Sequence, residues 1–398
     1  MDKHRVIFIA QYPYLVVMLP AMIESRRIGV TVEAFVPKVE MNNSQDTLLE
    51  KSVKMLEDEG FAVLREIPKL QTYDILYSAY PGVYKEFVKQ NNQIRYHVNF
   101  IYGAACANKP HIPSANLDRL YYDFILCMCE TDASIYSAHA KTYSIGNIKL
   151  ASYKRNRILP KNKKTILYLP SWGNVGKSKS GIDLRVIDKL VELQSTYNIT
   201  TKMHHQTAVA ANREEEERRK YFNAFSNIYD ETTPIADILN NADIVLSDLS
   251  SVAFDAIAGD VPLALYGLGE PVTLGGKLCL HQQLVNDDII PGTNDANELE
   301  LVIEKALSEK YFAKQQKLKN EMFLYQGREC LDVFTRFQDD LLHNRVDLWY
   351  IATRKGMREY HERNLIDLRH EYETSTSWKV TKPLRAISKL IRGISEEQ

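Results

Sequence analysis

The sequence predicts a doubly wound α/β fold built twice, followed by a helical C-terminal part. Three observations carry this. Short, continuously apolar runs alternate with helical patterns, as parallel strands buried on both faces and joined by helices require. The alternation breaks once, in the Asn-, Pro- and Lys-rich stretch 154–164, and then resumes. From about Tyr311 onward only helical patterns remain.

Arg5–Ala10 reads as the first buried strand, Tyr12–Arg27 as a helix and Val30–Val36 as the next strand. Ser52–Glu59 has a helical pattern, and the short run 62–64 follows it. Asp74–Tyr77, Ile94–Ile101 and Phe124–Cys129 read as further strands, with a helix over Asp132–Ala140. Past the break at 154–164, which reads as a linker, Thr165–Leu169 is a strand, Leu184–Thr196 a helix and Ile199–His204 a strand. The charge-rich run Asn212–Phe225 reads as a solvated helix face. Helix Ile235–Asn240, strand Asp243–Ser247, helix Ser251–Ala258, strand Pro262–Tyr266 and helix Glu298–Ser308 complete the second half.

Composition bounds the function. The 398 residues carry 50 Lys+Arg against 51 Asp+Glu and are 45% hydrophobic. That is globular, long enough for two domains, and lacks the basic excess of a dedicated nucleic-acid binder. The apolar window Val6–Ile23 is interrupted by Gln11, Pro13 and Pro20, so it reads as strand and helix rather than a signal peptide or membrane span. Cys106, Cys127, Cys129, Cys279 and Cys330 are odd in number and show no repeated spacing, which points to buried free thiols rather than a zinc site or a disulfide frame.

The chemistry-bearing stretch is Thr232–Tyr266. A strand ends in Ser247-Asp248, and Ser250 or Ser251 opens the next helix. Free N–H groups at a helix start favour an anion, and serine hydroxyls add donors without bulk. The turn would lie at the carboxyl edge of a parallel sheet, where open α/β domains bind ligands. A pyrophosphate cradle is one reading, and Ser250 as a plain helix cap is the other. Lys202-Met203-His204-His205 ends another strand of the same half, where a histidine donates to a phosphate or protonates a leaving oxygen, and a surface or metal-binding histidine pair is the other reading. Pro170–Ser178 fails as a phosphate loop, because Gly173 stands only three positions before Gly176.

These elements, in this order, resemble the CDP-glycerol glycerophosphotransferase family of teichoic-acid and capsule-polymer enzymes. The matching residues are Pro170-Ser171-Trp172, then Lys202-Met203-His204-His205, then Ser247-Asp248-Leu249-Ser250-Ser251 with Asp255 and Val261-Pro262. Ile290-Pro291-Gly292 and Gly327-Arg328 fall where that family has a Pro-Gly turn and a late Gly–Arg element. The resemblance implies a GT-B architecture: two Rossmann-like domains facing a cleft, with no metal and no cofactor. On this reading residues 1–155 form the acceptor domain, 163–320 the nucleotide-donor domain, 321–375 a helical extension and 376–398 a basic amphipathic tail. His204, Tyr102 and Asp248 take catalytic places, and Ser171, Trp172, His205, Ser247, Ser250, Ser251, Asp255 and Arg328 contact the donor. Tyr102 stands where the family carries the histidine proposed as base. Tyrosine titrates near pH 10 and is a poor base at neutral pH, so His97, His111 or an acid are the other candidates.

The implied reaction moves a glycerol-phosphate or related polyol-phosphate from a CDP-activated donor to a hydroxyl of a cell-surface glycan or lipid-linked acceptor. Three alternatives stand beside it: a glycosyltransferase using a nucleotide sugar, a nucleotide-sugar epimerase, and a non-catalytic nucleotide-binding homologue. An epimerase would need paired carboxylates, and no clear pair stands out. In the tail, Lys379, Lys382, Arg385, Lys389 and Arg392 accompany Trp378, Leu384, Ile387, Leu390 and Ile391. This spacing suits a helix lying on an anionic surface, with a terminal helix that is solvated or packed on the first domain as the other reading. A cytoplasmic protein held peripherally at the inner face of the plasma membrane is the expected location.

Overall fold

A computed structural model describes residues 4–37, 43–79, 81–91, 93–105, 118–154, 162–171, 182–204, 216–230, 232–269, 273–274 and 277–360. His111, Trp172, His205, Cys106 and the tail 376–398 lie outside them.

The first half runs β1 (Arg5–Ile9), α1 (Leu15–Arg27), β2 (Thr31–Phe35), α2 (Asn43–Asp58), β3 (Val63–Leu64), β4 (Tyr73–Ser78), α3 (Pro81–Gln90), β5 (Ile94–Phe100), β6 (Phe124–Cys127), α4 (Glu130–Tyr136) and β7 (Lys141–Ser144). Its seven strands lie in the order β3-β2-β1-β4-β5-β6-β7, and every neighbouring pair is parallel. The second half runs β8 (Thr165–Leu169), α5 (Leu184–Leu193), β9 (Asn198–Lys202), α6 (Glu216–Ala224), β10 (Ile228–Tyr229), α7 (Ile235–Leu239), β11 (Ile244–Ser247), α8 (Val252–Ala258), β12 (Leu263–Tyr266), the small hairpin β13 (Thr273–Leu274) and β14 (Lys277–Leu278), α9 (Leu280–Asn286), β15 (Gly292–Thr293), α10 (Leu299–Ala306) and α11 (Glu309–Met322). Its sheet order is β10-β9-β8-β11-β12-β15, again all parallel. Each order starts in the middle, winds outward, then reverses, which is the doubly wound arrangement.

The strand runs behave as their composition requires. Ile166, Tyr168, Ile244 and Leu246 face Val186, Ile187, Leu190, Leu299 and Ile303 on one side of the second sheet. Leu167, Leu169, Val245 and Leu265, at the alternate positions, are equally buried. Elements that the sequence pattern passes over are α3, α9 and the short strands β7, β10, β13, β14 and β15. In the charged helix α6 most of the surface is solvated, but Arg218 and Tyr221 are buried. Cys127, Cys129, Cys279 and Cys330 are buried free thiols.

The C-terminal helices do not stand apart from the two sheets. On α11, the Gln315 side chain accepts from the Leu263 amide at 3.0 Å and donates to the Val261 carbonyl at 2.7 Å, so this helix closes the second half. The next helix, α12 (Arg328–Leu342), returns to the first sheet. There the Phe334 ring packs 5.8 Å from Tyr77 and 5.9 Å from Phe100, while the Gln338 carbonyl oxygen accepts from Ser25 and Tyr77. One compact unit, Met1–Arg345, therefore holds both sheets and α12. A second unit, Val346–Gln398, includes a helix over 348–360, with Trp349 80% exposed.

The connection between the sheets is pinned. Gly146 has φ +74°, and a Cβ there would lie 2.3 Å from the Tyr325 carbonyl oxygen, so only glycine fits. Next to it, Asn147 donates to Asp255 at 2.7 Å and Lys149 to the same carboxylate at 2.6 Å. Side-chain exposure is only 9% for Lys149 and 3% for Asp255. Removing one partner of such a pair strands a buried charge at about 3–5 kcal/mol, whereas removing both costs far less. Lys149→Met should therefore lower unfolding free energy by about 3–5 kcal/mol in urea, and adding Asp255→Asn should recover most of it.

Candidate active site

The second sheet reverses its order between β8 and β11, the place where a crevice opens outside the strand ends. Two side chains join the two strand ends there. Ser247 lies opposite Leu169 in the register and donates its hydroxyl to the Leu169 carbonyl at 2.9 Å. Asp248, 4% exposed, accepts the Ser171 amide at 3.0 Å. Asp248 thus sets the backbone of the loop leaving β8. This is a positioning contact, and it accounts for an acid at that spot without assigning it proton transfer.

The half-buried turn Leu249–Ser251 follows and leads into α8. Ser251 is the N-cap residue without a capping side-chain bond. The Val252 amide instead reaches the Ser250 hydroxyl at 3.4 Å, a long bond. The Val252 N–H is thus directed at the Ser250 side chain. His281, buried at the start of α9, lies with Nε2 2.8 Å from the Ser250 carbonyl oxygen and its ring against Phe254. No sequence signal marked this histidine.

The neighbouring strand ends supply the rest. Beyond β9, Met203 is buried and His204 half-buried. Lys202 donates to the Thr233 carbonyl at 2.6 Å, tying β9 to the loop after β10. In that loop Asp230 accepts the Thr232 amide at 2.8 Å and pairs with Lys51 of α2 at 3.1 Å, a contact from the first half to the second. Burial pushes the Asp230 carboxyl up, but donation from Thr232 and Lys51 outweighs it and lowers the pKa to about 2.

The structure does not bring all the expected residues to this edge. Asp255 sits one turn into α8, and its carboxylate is taken by Asn147 and Lys149. Through these two bonds it clamps the connection between the sheets. Arg328 opens α12 and binds Glu24 of α1 at 2.5 and 3.0 Å, with Asp332 at 3.3 Å. None of those partners belongs to the strand-end cluster. In the first half, Tyr102 follows β5 and meets the Tyr14 ring edge-on at 5.3 Å. His97 is structural: its amide donates to Asp123 at 2.8 Å, and its Nδ1 lies 3.0 Å from the Tyr84 hydroxyl. The sequence reading also missed Arg119, which is 3% exposed, bonds Asn99 at 2.8 Å and lies 4.6 Å over Tyr136 beside the β5 end. Among the described residues no three His, Cys, Asp or Glu groups are placed to hold a metal ion.

With this geometry in place, the comparisons are informative. Residues 142–268 match the family model of CDP-Glycerol:Poly(glycerophosphate) glycerophosphotransferase, a span containing the ends of β8, β9, β10, β11 and β12. Among solved structures the chain is similar to the wall teichoic acid polymerase TagF, at 15% identity and TM-score 0.54 over 86% of this chain and 90% of that one. It is also similar to the S. aureus MnaA–UDP co-structure, at 13% identity and TM-score 0.54 over 86% and 97% of the two chains. A third likeness is to Arabidopsis thaliana UGT89C1 complexed with UDP-L-rhamnose, at 12% identity and TM-score 0.54 over 86% and 100%. No curated protein matches. These likenesses give the fold as GT-B, and with the family match they mark the chain as a divergent transferase.

Alkaline titration probes the packing of the folded unit. Burial and the nearby Asp183 push the Tyr266 hydroxyl from 10 up to about 12, and burial pushes the Cys330 thiol from 9 up to about 12. Both groups hold their protons longer when folded, so their contribution is complete below pH 9 and is lost as pH rises toward 12. Urea midpoints should fall over that window, and Tyr266→Phe should shrink the fall without abolishing it.

Proposed function

We propose that this protein transfers a glycerol-phosphate, or a related polyol-phosphate, from a CDP-activated donor to a hydroxyl of a glycan or lipid-linked acceptor. The observation that carries the reading is the Ser247–Asp248–Ser250–Ser251 turn at the switch point of the second sheet, inside the matched span. A nucleotide-activated donor is further supported by neighbours whose descriptions name CDPG, UDP and UDP-L-rhamnose.

In this mechanism the donor pyrophosphate rests on the Ser250 and Ser251 hydroxyls and the amides of that turn, with His204 beside it. The acceptor hydroxyl oxygen attacks the β-phosphorus, the bond to the bridging oxygen breaks, CMP leaves, and the hydroxyl proton passes to solvent. Fixed donors stabilise the charge growing on the leaving phosphate, and removing one such donor typically costs about 10²–10³-fold in rate. His204 protonates or hydrogen-bonds the leaving oxygen. Tyr102 and Tyr14, beyond β5 and β1, face the acceptor side.

A nucleotide-sugar donor is the second reading, favoured by tyrosine rather than histidine at position 102. One panel separates the two. Purified protein is incubated with CDP-glycerol, CDP-ribitol and UDP-sugars, and melting temperature and nucleotide release are followed. The expected result is stabilisation and CMP release with CDP-glycerol, with release about 10²–10³-fold slower in His204→Ala. UDP release instead would select the second reading, and no response to any nucleotide would remove both.

The basic, apolar stretch 378–392 supports a peripheral membrane location, and no helix among the described residues is long and apolar enough to cross a membrane. Deleting 376–398 should release the protein from anionic vesicles in a flotation assay. Unchanged flotation would refute that role for the tail.

A further inference from the structure

We infer that His281 and Gln282, consecutive residues in the first turn of α9, are positioning residues that set the two strand-end turns of the donor site. The inference rests on the donor reading above for its functional consequence, but its structural part stands without it.

Both side chains are buried, at 2% and 6% exposure. A buried imidazole or amide is costly unless its polar atoms are bonded. Each of these spends its N–H on a backbone carbonyl of a different loop. His281 Nε2 lies 2.8 Å from the Ser250 oxygen in the turn after β11. Gln282 Nε2 donates at 3.0 Å to the Leu268 oxygen in the turn after β12. β11 and β12 are parallel neighbours, so one short piece of helix braces two adjacent strand ends. Because a carbonyl oxygen only accepts, His281 must carry its proton on Nε2.

The consequence for the serine turn follows from peptide geometry. The Ser250 carbonyl already accepts the Ala253 amide at 3.2 Å within the first turn of α8, and His281 fills its second lone pair. With the carbonyl held at two points, the planar Ser250–Ser251 peptide cannot rotate. The Ser251 N–H lies in that plane, antiparallel to the carbonyl, so it is held pointing away from α8. His281 thereby fixes the direction of a backbone donor without itself meeting a ligand. In the turn after β12, Gly267 and Gly269 have φ of +63° and +67°. Glycine leaves this backbone free to move, and Gln282 supplies the restraint.

The test uses the full chain and its His281→Ala, His281→Gln and Gln282→Ala variants, with two readouts. Hydrogen exchange of peptides covering 247–254 and 266–270 is measured without nucleotide, and CDP affinity is measured by calorimetry. His281→Ala should raise exchange in the 247–254 peptide at least tenfold and weaken CDP binding at least tenfold. His281→Gln, which keeps an N–H at the same reach, should restore both to within threefold of the parent. Gln282→Ala should raise exchange only in 266–270. Unchanged exchange in His281→Ala would overturn the brace, as would a His281→Gln variant as impaired as His281→Ala. Raised exchange with unchanged CDP affinity would overturn the positioning role. Parent protein that binds no CDP while His281→Ala still shows raised exchange would leave the brace standing and remove the donor reading instead. Should His281→Ala fail to fold, recovery or loss in His281→Gln decides the question alone.

Discussion

The buried pair between Lys149 and Asp255 is the contact on which the arrangement of the site depends. It joins the segment linking the two sheets to α8, the helix that carries the serine turn at its start. Neither ion is cheap to bury, and the pair holds because Asn147 adds a second donor to the same carboxylate. Gly146 lets the chain pass against Tyr325 just before these donors. The connection between the sheets is thus joined directly to the helix that follows the serine turn.

From that anchor the site follows by topology. A parallel sheet that winds outward in two directions leaves a gap beyond the central strand ends, and nothing in the sheet itself fills it. Ser247 and Asp248 hold the edges of the gap together through the β8 end, while His281 holds its far wall. Short side chains at the turn leave space, and half-buried serines keep their hydroxyls reachable. Lys51 reaches from α2 to Asp230, adding a contact between halves next to the β9 and β10 ends. The α12 helix, returning to the first sheet through Phe334 and Gln338, ties the end of the unit to its beginning.

What could be read from sequence and what could not separate along physical lines. Strands buried on both faces announce themselves as continuous apolar runs, so β1, β6, β8 and β11 fall where composition places them. The serine turn was also readable, because strand, serines and helix are consecutive in the chain. Contacts between residues far apart carry no such signal. The partners of Asp255 lie 106 and 108 positions away, and Arg328 meets Glu24 across 304 positions. The motif match named both residues, but it gave no sign that the fold also uses them to join distant elements. His281 stands in an ordinary apolar and polar mixture, and only the fold brings it to Ser250. α12 reads as part of a tail because its amphipathic face gives no indication of which sheet it covers.

The account turns on where a donor's diphosphate rests, and a crystal structure of the full chain with CDP tests that most directly. The prediction is diphosphate density between the β8 and β11 ends, with phosphate oxygens about 3 Å from the Ser250 or Ser251 hydroxyls or amides and the nucleoside on the second half. Density for CDP at another place, with the serine turn uncontacted, would contradict it.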